Sequence, residues 1–354
     1  MSLESRGSMQ GKKMPPGLKQ SRFIQVVTLE DSMAVRCGDF HPNGKLFAVG
    51  SNSKSLHICQ TPDLSSIQPS THHPATPTIL SRHPKHHKGS IYCLSWAPTG
   101  SLLATGSNDK TIKLIRVTEE DDPGHTVETV LPIHDGTVRD LCFLSGAGSP
   151  LLVSGGAGDC QVYVTDCTTT SVVQVKTGHT EHILSVYSWG EGSQVFVSGS
   201  QDKTVRFWDT RTRGCVQMVS YEGREQENMD FVAGSPVSSC CVDPTGRLLV
   251  SGHEDASCVL YDIRGQRFLQ SFSVHSSDVR SVRLSPSSFY LLSASYDRTM
   301  VLTDLQGNLT NPLPSVEVAS HMDKVITGRW HPHHCSFLTT SADKTSTVWT
   351  IPDI

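Results

Sequence analysis

The 354-residue sequence predicts an all-β fold, a seven-bladed β-propeller whose last blade is completed by an N-terminal strand. Three observations support this prediction. Short stretches of alternating apolar and polar residues recur at a regular spacing, an aspartate recurs in the turn before one stretch of each repeat, and helical periodicity is absent. A ring closed in this way leaves only short, protected sheet edges.

The clearest repeat is residues 178–210, GHTEHILSVYSWGEGSQVFVSGSQDKTVRFWDT. It contains a Gly-His pair, an alternating strand, a second strand that ends in Ser-Gly-Ser, a tight turn at Asp202, and a third strand that ends at Trp208 and Asp209. Alternation with a period of two indicates strands that bury one face each. The unit therefore predicts one blade of a propeller.

The turn aspartate recurs along the chain and sets the length of the repeat. Successive copies are separated by 50, 43, 53, 42 and 46 residues, close to the ~40–45 residues of a four-stranded blade with loop insertions. A seventh copy, at residues 34–59, has Ser53 where the aspartate belongs. The six aspartates are Asp109, Asp159, Asp202, Asp255, Asp297 and Asp343.

The two ends of the chain predict how the ring closes. The chain ends at VWTIPDI, just after the third strand of the seventh repeat, so that the last blade lacks an outer strand. The alternating stretch FIQVVTLE, residues 23–30, belongs to no repeat and has the right length to supply this strand. We therefore expect a disordered tail with basic residues and a Pro-Pro-Gly break at residues 1–22, and the propeller at residues 23–354.

Three insertions interrupt the repeats. TPDLSSIQPSTHHPATP (61–77) and TEEDDPGH (118–125) are expected to be loops on the face opposite the aspartate turns. EGREQENMDF (222–231), between the fourth and fifth blades, is expected on the same side as the aspartate turns. We interpret it as a tolerated insertion, and the alternative is a mobile flap.

Composition and charge exclude several classes of function. A net charge of −4 argues against a chain that as a whole coats nucleic acid or an anionic membrane. No run approaches the ~18 apolar residues of a membrane span. Eleven cysteines without a C-x-x-C pair indicate buried free thiols in a reducing cytosol. Without a P-loop, carboxylates paired outside turns or His/Cys ligand spacing, we expect no catalysis, cofactor, metal or small-molecule substrate.

The histidine-rich stretch RHPKHHKG, residues 82–89, allows a metal site, a basic patch or a structural element. His87 lies 22 residues before Asp109, the same separation that His275 and His321 have from their own turn aspartates. We therefore expect His87 to be a structural residue of the second blade, which argues against a zinc site. The other basic residues are expected to form an exposed turn at the rim: His83, Lys85, His86 and Lys88.

Unit 178–210 is identified as a WD repeat, and a combination of stretches resembles one group within that family. These stretches resemble, in the same blade order from about Phe23 to the end, the C-terminal propellers of nemitin-like WD-repeat proteins. Specificity comes from the ordered combination, including the first blade without aspartate. The stretches are KHHKGSIYCLSWAPTGSLLATGSNDK, GHTEHILSVYSWG, SGSQDKTVRFWD, DASCVLYDIRG and HSSDVRSVRLSP.

The resemblance implies a cytoplasmic, cytoskeleton-associated scaffold of neurons and ciliated cells. Its implied partners are microtubule-associated proteins, including proteins that bind microtubule minus ends. Nemitin-like proteins also carry N-terminal LisH and CTLH helical modules that support self-association. No helical pattern precedes residue 23, so we expect those modules to be missing from this chain.

The resemblance also implies a side-chain network that holds each turn aspartate. In WD repeats the carboxylate meets a histidine, which meets a hydroxyl, which meets a tryptophan indole. Because such sets recur once per blade, we interpret them as structural and not as catalytic triads. Two sets are complete and two lack the tryptophan: His179, Ser198, Asp202, Trp208; His321, Thr339, Asp343, Trp349; His87, Thr105, Asp109; and His275, Ser293, Asp297.

The face that carries the aspartate turns is the expected place for a partner. Two kinds of position project there: residues that flank the first apolar residue of each inner strand, and the residue before each turn aspartate. We hypothesise that this face grips a short acidic and apolar segment of a partner, and the alternative is a rim of solvated charges. The candidate residues are Arg36, Tyr92, Arg139, His182, Arg280, Lys324, Tyr296, Asn52, Asn108, Gln201 and Glu254.

A second function remains open, that of a substrate receptor for a cullin-RING ubiquitin ligase. Such receptors often end successive repeats in Trp-Asp-x-Arg, and the fourth and fifth repeats end in WDTR and YDIR. A propeller that binds RNA or histones is a third option, weakened by the lack of a continuous basic stripe. The residues of the possible ligase motifs are Trp208, Asp209, Arg211, Tyr261, Asp262 and Arg264.

Overall fold

The computed structural model describes residues 23–352 except 65–66, 68–73, 118–127, 147, 191 and 221–233. The described residues form 28 strands in seven four-stranded antiparallel sheets and contain no helix. The predicted fold class is therefore confirmed. The expected tail 1–22, the insertions 118–125 and 222–231, and part of the insertion 61–77 lie outside the described residues.

The first three blades follow one another along the chain, each with its strands in sequence order from the channel outwards. Blade one contains β2 (Val35–Phe40), β3 (Leu46–Ser51), β4 (Leu56–Gln60) and β5 (Ile79–His83). Blade two contains β6 (Ile91–Trp96), β7 (Leu102–Ser107), β8 (Ile112–Arg116) and β9 (Glu128–Leu131). Blade three contains β10 (Val138–Phe143), β11 (Leu151–Gly156), β12 (Val162–Asp166) and β13 (Ser171–Lys176).

The next three blades repeat this order, and the seventh takes its outer strand from the start of the chain. Blade four contains β14 (Ile183–Ser188), β15 (Val195–Ser200), β16 (Thr204–Asp209) and β17 (Cys215–Ser220). Blade five contains β18 (Val237–Val242), β19 (Leu248–His253), β20 (Ser257–Asp262) and β21 (Arg267–Ser273). Blade six contains β22 (Val279–Leu284), β23 (Tyr290–Ser295), β24 (Thr299–Asp304) and β25 (Ser315–Ser320). Blade seven contains β26 (Val325–Trp330), β27 (Ser336–Ser341), β28 (Thr345–Thr350) and β1 (Ile24–Glu30).

The ring closes through β1, which confirms the expected role of the N-terminal stretch. β1 pairs antiparallel with β28 at the outer edge of blade seven. The ring of Phe23, just before β1, packs 4.8 Å from the ring of Phe337 in the blade core. The end of the 61–77 insertion adds a short parallel bridge to β1, because Thr28 N donates to Ala75 O at 2.9 Å.

The core lies between the blades, and the first residue of each inner strand is part of it. The first residue of every inner strand is β-branched and fully buried, which suits a strand packed on both faces. Neighbouring sheets approach closely at these residues: a Cβ at Gly106 would lie 2.6 Å from Val138 Cγ1 of the next blade. A glycine is therefore required where β7 faces β10. The seven residues are Val35, Ile91, Val138, Ile183, Val237, Val279 and Val325.

All eleven cysteines are free thiols, and seven of them are buried. Burial raises the pKa of the Cys240 and Cys258 thiols to about 12, so these groups stay protonated at neutral pH. No helix in the described part of the chain is long and apolar enough to cross a membrane.

Candidate partner-binding face

The network of blade four fixes the turn that shapes the candidate face. Asp202 Oδ2 lies 2.8 Å from His179 Nδ1, and His179 Nε2 lies 2.7 Å from Ser198 Oγ. The indole of Trp208 donates to Ser198 Oγ at 2.8 Å. Burial by itself would raise the pKa of Asp202, but hydrogen bonds from His179 and Thr204 hold this pKa well below its usual range. The Asp202 carboxylate is therefore ionised and hydrogen-bonded to its neighbours.

Blade seven repeats this network with a threonine hydroxyl. His321 lies 2.9 Å from Asp343 and 2.8 Å from Thr339, and Trp349 donates to Thr339 at 2.9 Å. Blades two and six hold the same histidine contacts without a tryptophan. Their distances are 3.0 Å for His87–Asp109, 2.9 Å for His87–Thr105, 2.9 Å for His275–Asp297 and 2.8 Å for His275–Ser293.

The expectation that His86 lies on an exposed rim turn is wrong. His86 is 3% exposed, with Nε2 at 2.9 Å from Thr105 Oγ1 and Nδ1 at 3.1 Å from Glu128 Oε1. Blade two has Ile115 where blade four has tryptophan. The His86 ring therefore gives the Thr105 hydroxyl the second partner that an indole gives elsewhere. Burial, with His87 beside it, lowers the pKa of His86.

The rest of the histidine-rich stretch lies nearer the surface. Lys85 and Lys88 are exposed, and His83 is half-buried with Nε2 at 2.8 Å from Ser81 Oγ. Within the described ranges, no group of three or more His, Cys, Asp or Glu side chains is arranged to hold a metal ion.

Blade one contains a network that the sequence reasoning missed. Asp31 Oδ2 accepts hydrogen bonds from Ser51 Oγ at 2.9 Å and from Ser53 Oγ at 3.1 Å. Asp31 lies 22 residues before Ser53, which is the separation of His87 from Asp109 in blade two. The carboxylate thus occupies the histidine position and the hydroxyl the aspartate position. That spacing was the signal that could have identified Asp31.

Blade three also departs from the common pattern. His134 Nε2 lies 2.9 Å from Ser154 Oγ, while the hydroxyl of Tyr163 donates to Asp159. Burial lowers the pKa of His134 to about 4, so the ring is neutral at pH 7. A tyrosine has therefore taken the position of histidine as the partner of this turn aspartate.

A repeated backbone hydrogen bond holds the aspartate turns against the inner strands. In every blade, an amide in the turn donates to the carbonyl of the residue just before the inner strand. In blade three the donor is Ala157, because Gly158 is an additional residue of that turn. The donor–acceptor pairs are Asn52–Ala34, Asn108–Ser90, Ala157–Thr137, Gln201–His182, Glu254–Pro236, Tyr296–Asp278 and Ala342–Lys324.

At the channel mouth, the first three blades form what we call the Tyr92 cluster: Arg36, Tyr92, Arg139 and Asn52. The guanidinium carbons of Arg36 and Arg139 lie 4.8 and 5.1 Å from the centre of the Tyr92 ring. Arg36 Nε donates to Asn52 Oδ1 at 2.9 Å. Among the described residues, no carboxylate lies within 4.0 Å of either guanidinium. The cluster therefore carries two positive charges that are held in place by an aromatic ring.

Across the mouth, blades five to seven form the Tyr296 cluster: Arg280, Tyr296, Lys324 and Glu254. Arg280 and Lys324 lie 5.4 and 4.6 Å from the centre of the Tyr296 ring. Arg280 Nη1 is 3.7 Å from Glu254 Oε1, a loose ion pair between two partly exposed groups. This cluster has a smaller excess of positive charge than the Tyr92 cluster.

The two clusters are separated by uncharged positions. Leu184, Ser238 and Ile326 line the same mouth, and the rim positions His182, Asn108 and Gln201 are exposed. Two methionines on this face escaped the sequence reasoning. Met322 is 85% exposed, next to His321, and Met33 is exposed in the loop between β1 and β2. The face thus combines fixed cations with accessible apolar side chains.

The possible ligase motifs lie at the opposite ends of their strands. Trp208 and Tyr261 are buried. Arg211 forms a bidentate pair with Asp209, at 2.9 and 2.6 Å, on a side chain that is 71% exposed. Asp262 has Arg267 as its ionic partner at 3.6 Å, and Arg264 is exposed. Arg211 is therefore paired with the aspartate of its own motif, whereas the aspartate of the second motif pairs with Arg267 and not with Arg264.

The ring of seven blades and the side-chain networks at the turns of blades one to four, six and seven define a WD-repeat propeller. The family model "WD domain, G-beta repeat" matches residues 23–59, 78–116, 170–209, 229–262 and 266–304, more than half of the chain. The chain therefore belongs to the WD-repeat family.

Several curated proteins are similar to this chain at low identity. The guanine nucleotide-binding protein subunit beta-1 of Nicotiana tabacum is 30% identical over 187 residues, 51% of this chain and 47% of that protein. The beta subunit of Arabidopsis thaliana is 27% identical over 270 residues, 73% of this chain and 69% of that protein. Nuclear distribution protein PAC1 of Coccidioides posadasii is 26% identical over 319 residues, 78% of this chain and 63% of that protein. The chain spans about half the length of the tobacco subunit.

Proposed function

We propose that this protein is a non-catalytic scaffold that binds a short acidic and apolar segment of partner proteins across the aspartate-turn face. The observation that carries the proposal is the Tyr92 cluster, in which two guanidiniums flank one ring with no carboxylate within 4.0 Å among the described residues. WD-repeat propellers support such a role because they present a rigid face with loops held by β-sheets.

The physical basis is pre-organisation. Stacking on Tyr92 restrains the long side chains of Arg36 and Arg139 before a partner arrives. Binding then loses less side-chain entropy, and the guanidinium forks remain able to hold a carboxylate through two hydrogen bonds. Exposed Met322 and Met33 provide adaptable contacts for an apolar side chain of the same segment.

We further propose that the chain is the propeller of a nemitin-like adaptor that acts in the cytoplasm on the cytoskeleton. Its partners would be microtubule-associated proteins, including those that bind minus ends. Two observations support this cellular role: the ordered resemblance of the blades, and the similarity to fungal nuclear distribution proteins at 26% and 23% identity. The partners named here are part of this proposal. They are not inferred from the similarity to the beta subunits.

An affinity-capture experiment tests the proposal. Purified wild-type protein and a charge-reversed variant are immobilised, and microtubule-associated proteins from brain extract are captured and quantified. Loss of most of the captured proteins is expected from the variant, because each reversed charge repels an acidic segment. The variant combines Arg36→Glu, Arg139→Glu and Arg280→Glu.

A matched control separates this effect from a change in net charge. It reverses three exposed arginines on the opposite face and should capture the same proteins as the wild type. Equal capture by the folded charge-reversed variant and the wild type would refute the proposal. The control changes are Arg116→Glu, Arg213→Glu and Arg247→Glu.

A ligase substrate receptor is the second candidate. The exposure of Arg211 and Arg264, on the face away from the Tyr92 cluster, is the observation that favours it. That surface is separate from the aspartate-turn face, so the two candidates predict sensitivity to different substitutions.

A further inference from the structure

The channel contains a second ring of side chains beyond the candidate face. The second residue of each inner strand lies at the aspartate-turn mouth, and the fifth residue lies towards the opposite mouth. Six of these fifth residues line a cavity of about 260 Å³, with Trp96, Phe143 and Trp330 among its walls. They are Asp39, Ser95, Cys142, Tyr187, Arg283 and Arg329.

Two guanidiniums from neighbouring blades meet in this cavity. Arg283 is fixed by its Nη1, which donates to the Val282 carbonyl at 2.7 Å and to Ser239 Oγ at 3.2 Å. Its guanidinium carbon lies 5.4 Å from the centre of the Tyr187 ring. Burial, followed by the positive charge of Arg283, lowers the pKa of Arg329. Both cations line the same half-open cavity, where the positive charge of Arg283 disfavours the charge of Arg329.

The nearby carboxylates compensate this charge only in part. Asp39 Oδ1 is 4.0 Å from Arg329 Nε, at the limit of an ion pair. Asp140 lies in the same channel, but its two oxygens accept backbone hydrogen bonds from Leu141 at 3.0 Å and Val186 at 2.9 Å. Arg329 Nη1 is covered by protein and has no hydrogen-bond partner among the described residues. The positive charge of Arg329 is therefore only partly balanced by protein groups, and an anion in the cavity that this residue lines would offset the cost of its burial.

We propose that this end of the channel is an oxyanion site for a phosphoryl or carboxylate group of a small molecule. Arg283 and Arg329 hold the anion from two sides, and Asp39 limits its affinity. A water molecule takes about 30 Å³ of liquid volume, so a cavity of about 260 Å³ has room for more than a single ion. Its aromatic walls suit the organic part of a small molecule. The ligand enters through the mouth opposite the aspartate turns, so the site goes beyond the proposed partner-binding function.

Tryptophan fluorescence tests the site because Trp96 and Trp330 border the cavity. Inorganic phosphate and succinate are titrated separately into the folded protein at constant ionic strength, with chloride as the reference salt. A saturable change with either probe is expected, and the two probes distinguish phosphoryl from carboxylate ligands. Absence of a saturable change with both probes would overturn the proposal.

Three variants locate the anion. Arg283→Gln should weaken binding at least about tenfold, which corresponds to about 1.4 kcal/mol. Arg247→Gln removes the same charge from an exposed turn and should leave binding unchanged. Asp39→Asn removes the competing carboxylate and should strengthen binding several-fold. If Asp39→Asn folds and binds no more tightly, or if the Arg283 and Arg247 variants respond alike, the assignment is wrong.

Discussion

The replacement of Ser198 by alanine tests the shared hydroxyl of blade four. Ser198 Oγ is a partner of both His179 and Trp208, at 2.7 and 2.8 Å. All three groups are buried, so alanine leaves an imidazole nitrogen and an indole N–H without a partner. Ser293 in blade six is equally buried, but its hydroxyl serves a single side chain, that of His275, at 2.8 Å.

The expected cost follows from the number of groups that lose a partner. Each unsatisfied buried polar group costs about 1–3 kcal/mol of the free energy of unfolding. Ser198→Ala leaves two such groups and Ser293→Ala leaves one. Ser293 also makes a long 3.3 Å bond to the Val301 carbonyl, which adds little to its cost. The fourth-blade variant should therefore be less stable than the sixth-blade variant by about 1–3 kcal/mol.

The assay is equilibrium urea unfolding of the wild type and both alanine variants, followed by near-UV circular dichroism. The slopes with urea should stay constant so that midpoints report stability. A larger loss for Ser198→Ala than for Ser293→Ala is expected. If the two variants lose equal stability, the indole contact contributes nothing, and the reasoning about the tryptophan in these blades fails.

Three further outcomes are expected. Asp31→Ala should lower the free energy of unfolding by about 1–3 kcal/mol in urea titrations, and wild-type stability would contradict its role in blade one. Burial lowers the pKa of His134 and His331 to about 4. Because histidine in the unfolded state titrates near 6.5, the unfolded state takes up more protons than the folded state as the pH falls. The free energy of unfolding should therefore decrease by roughly 2 kcal/mol per histidine from pH 7 to 5. A free energy of unfolding from urea titrations that does not change with pH would contradict this. Arg211→Ala with Arg264→Ala should leave partner capture unchanged, whereas selective loss of a co-purified ligase adaptor would favour the ligase candidate.

The blade register could be predicted because its signals are local and repeated. The turn aspartates and their histidines recur at fixed separations, since the same hydrogen bond must form in each blade. Closure by the stretch before the first blade followed from the missing outer strand of the last. These features depend on backbone geometry, which a sequence pattern records directly.

The departures could not be predicted from the same pattern. His86 and His87 are adjacent and chemically identical, so the sequence alone does not indicate that both are buried on one threonine. The exchange of roles between Asp31 and Ser53 keeps the 22-residue separation of the other blades, but a search for histidine at the first position and aspartate at the second misses it.

The charged residues of the candidate face could likewise be predicted only in part. The sequence identified the cations at the channel mouth, but their stacking on Tyr92 and Tyr296 depends on side-chain directions across neighbouring blades. The pairing of Arg283 with Arg329 depends on the structure, which places six of the fifth residues of the inner strands around one cavity. Contacts between blades are long-range, and no local pattern encodes them.

Proximity labelling in neuronal or ciliated cells tests most directly whether the aspartate-turn face binds partners. The wild type is compared with a variant that carries Arg36→Glu, Arg139→Glu and Arg280→Glu, after both are shown to unfold at the same temperature. We expect microtubule-associated proteins among the labelled neighbours of the wild type and their depletion around the variant. Recovery of the same neighbours by the folded variant would contradict a partner-binding role for this face.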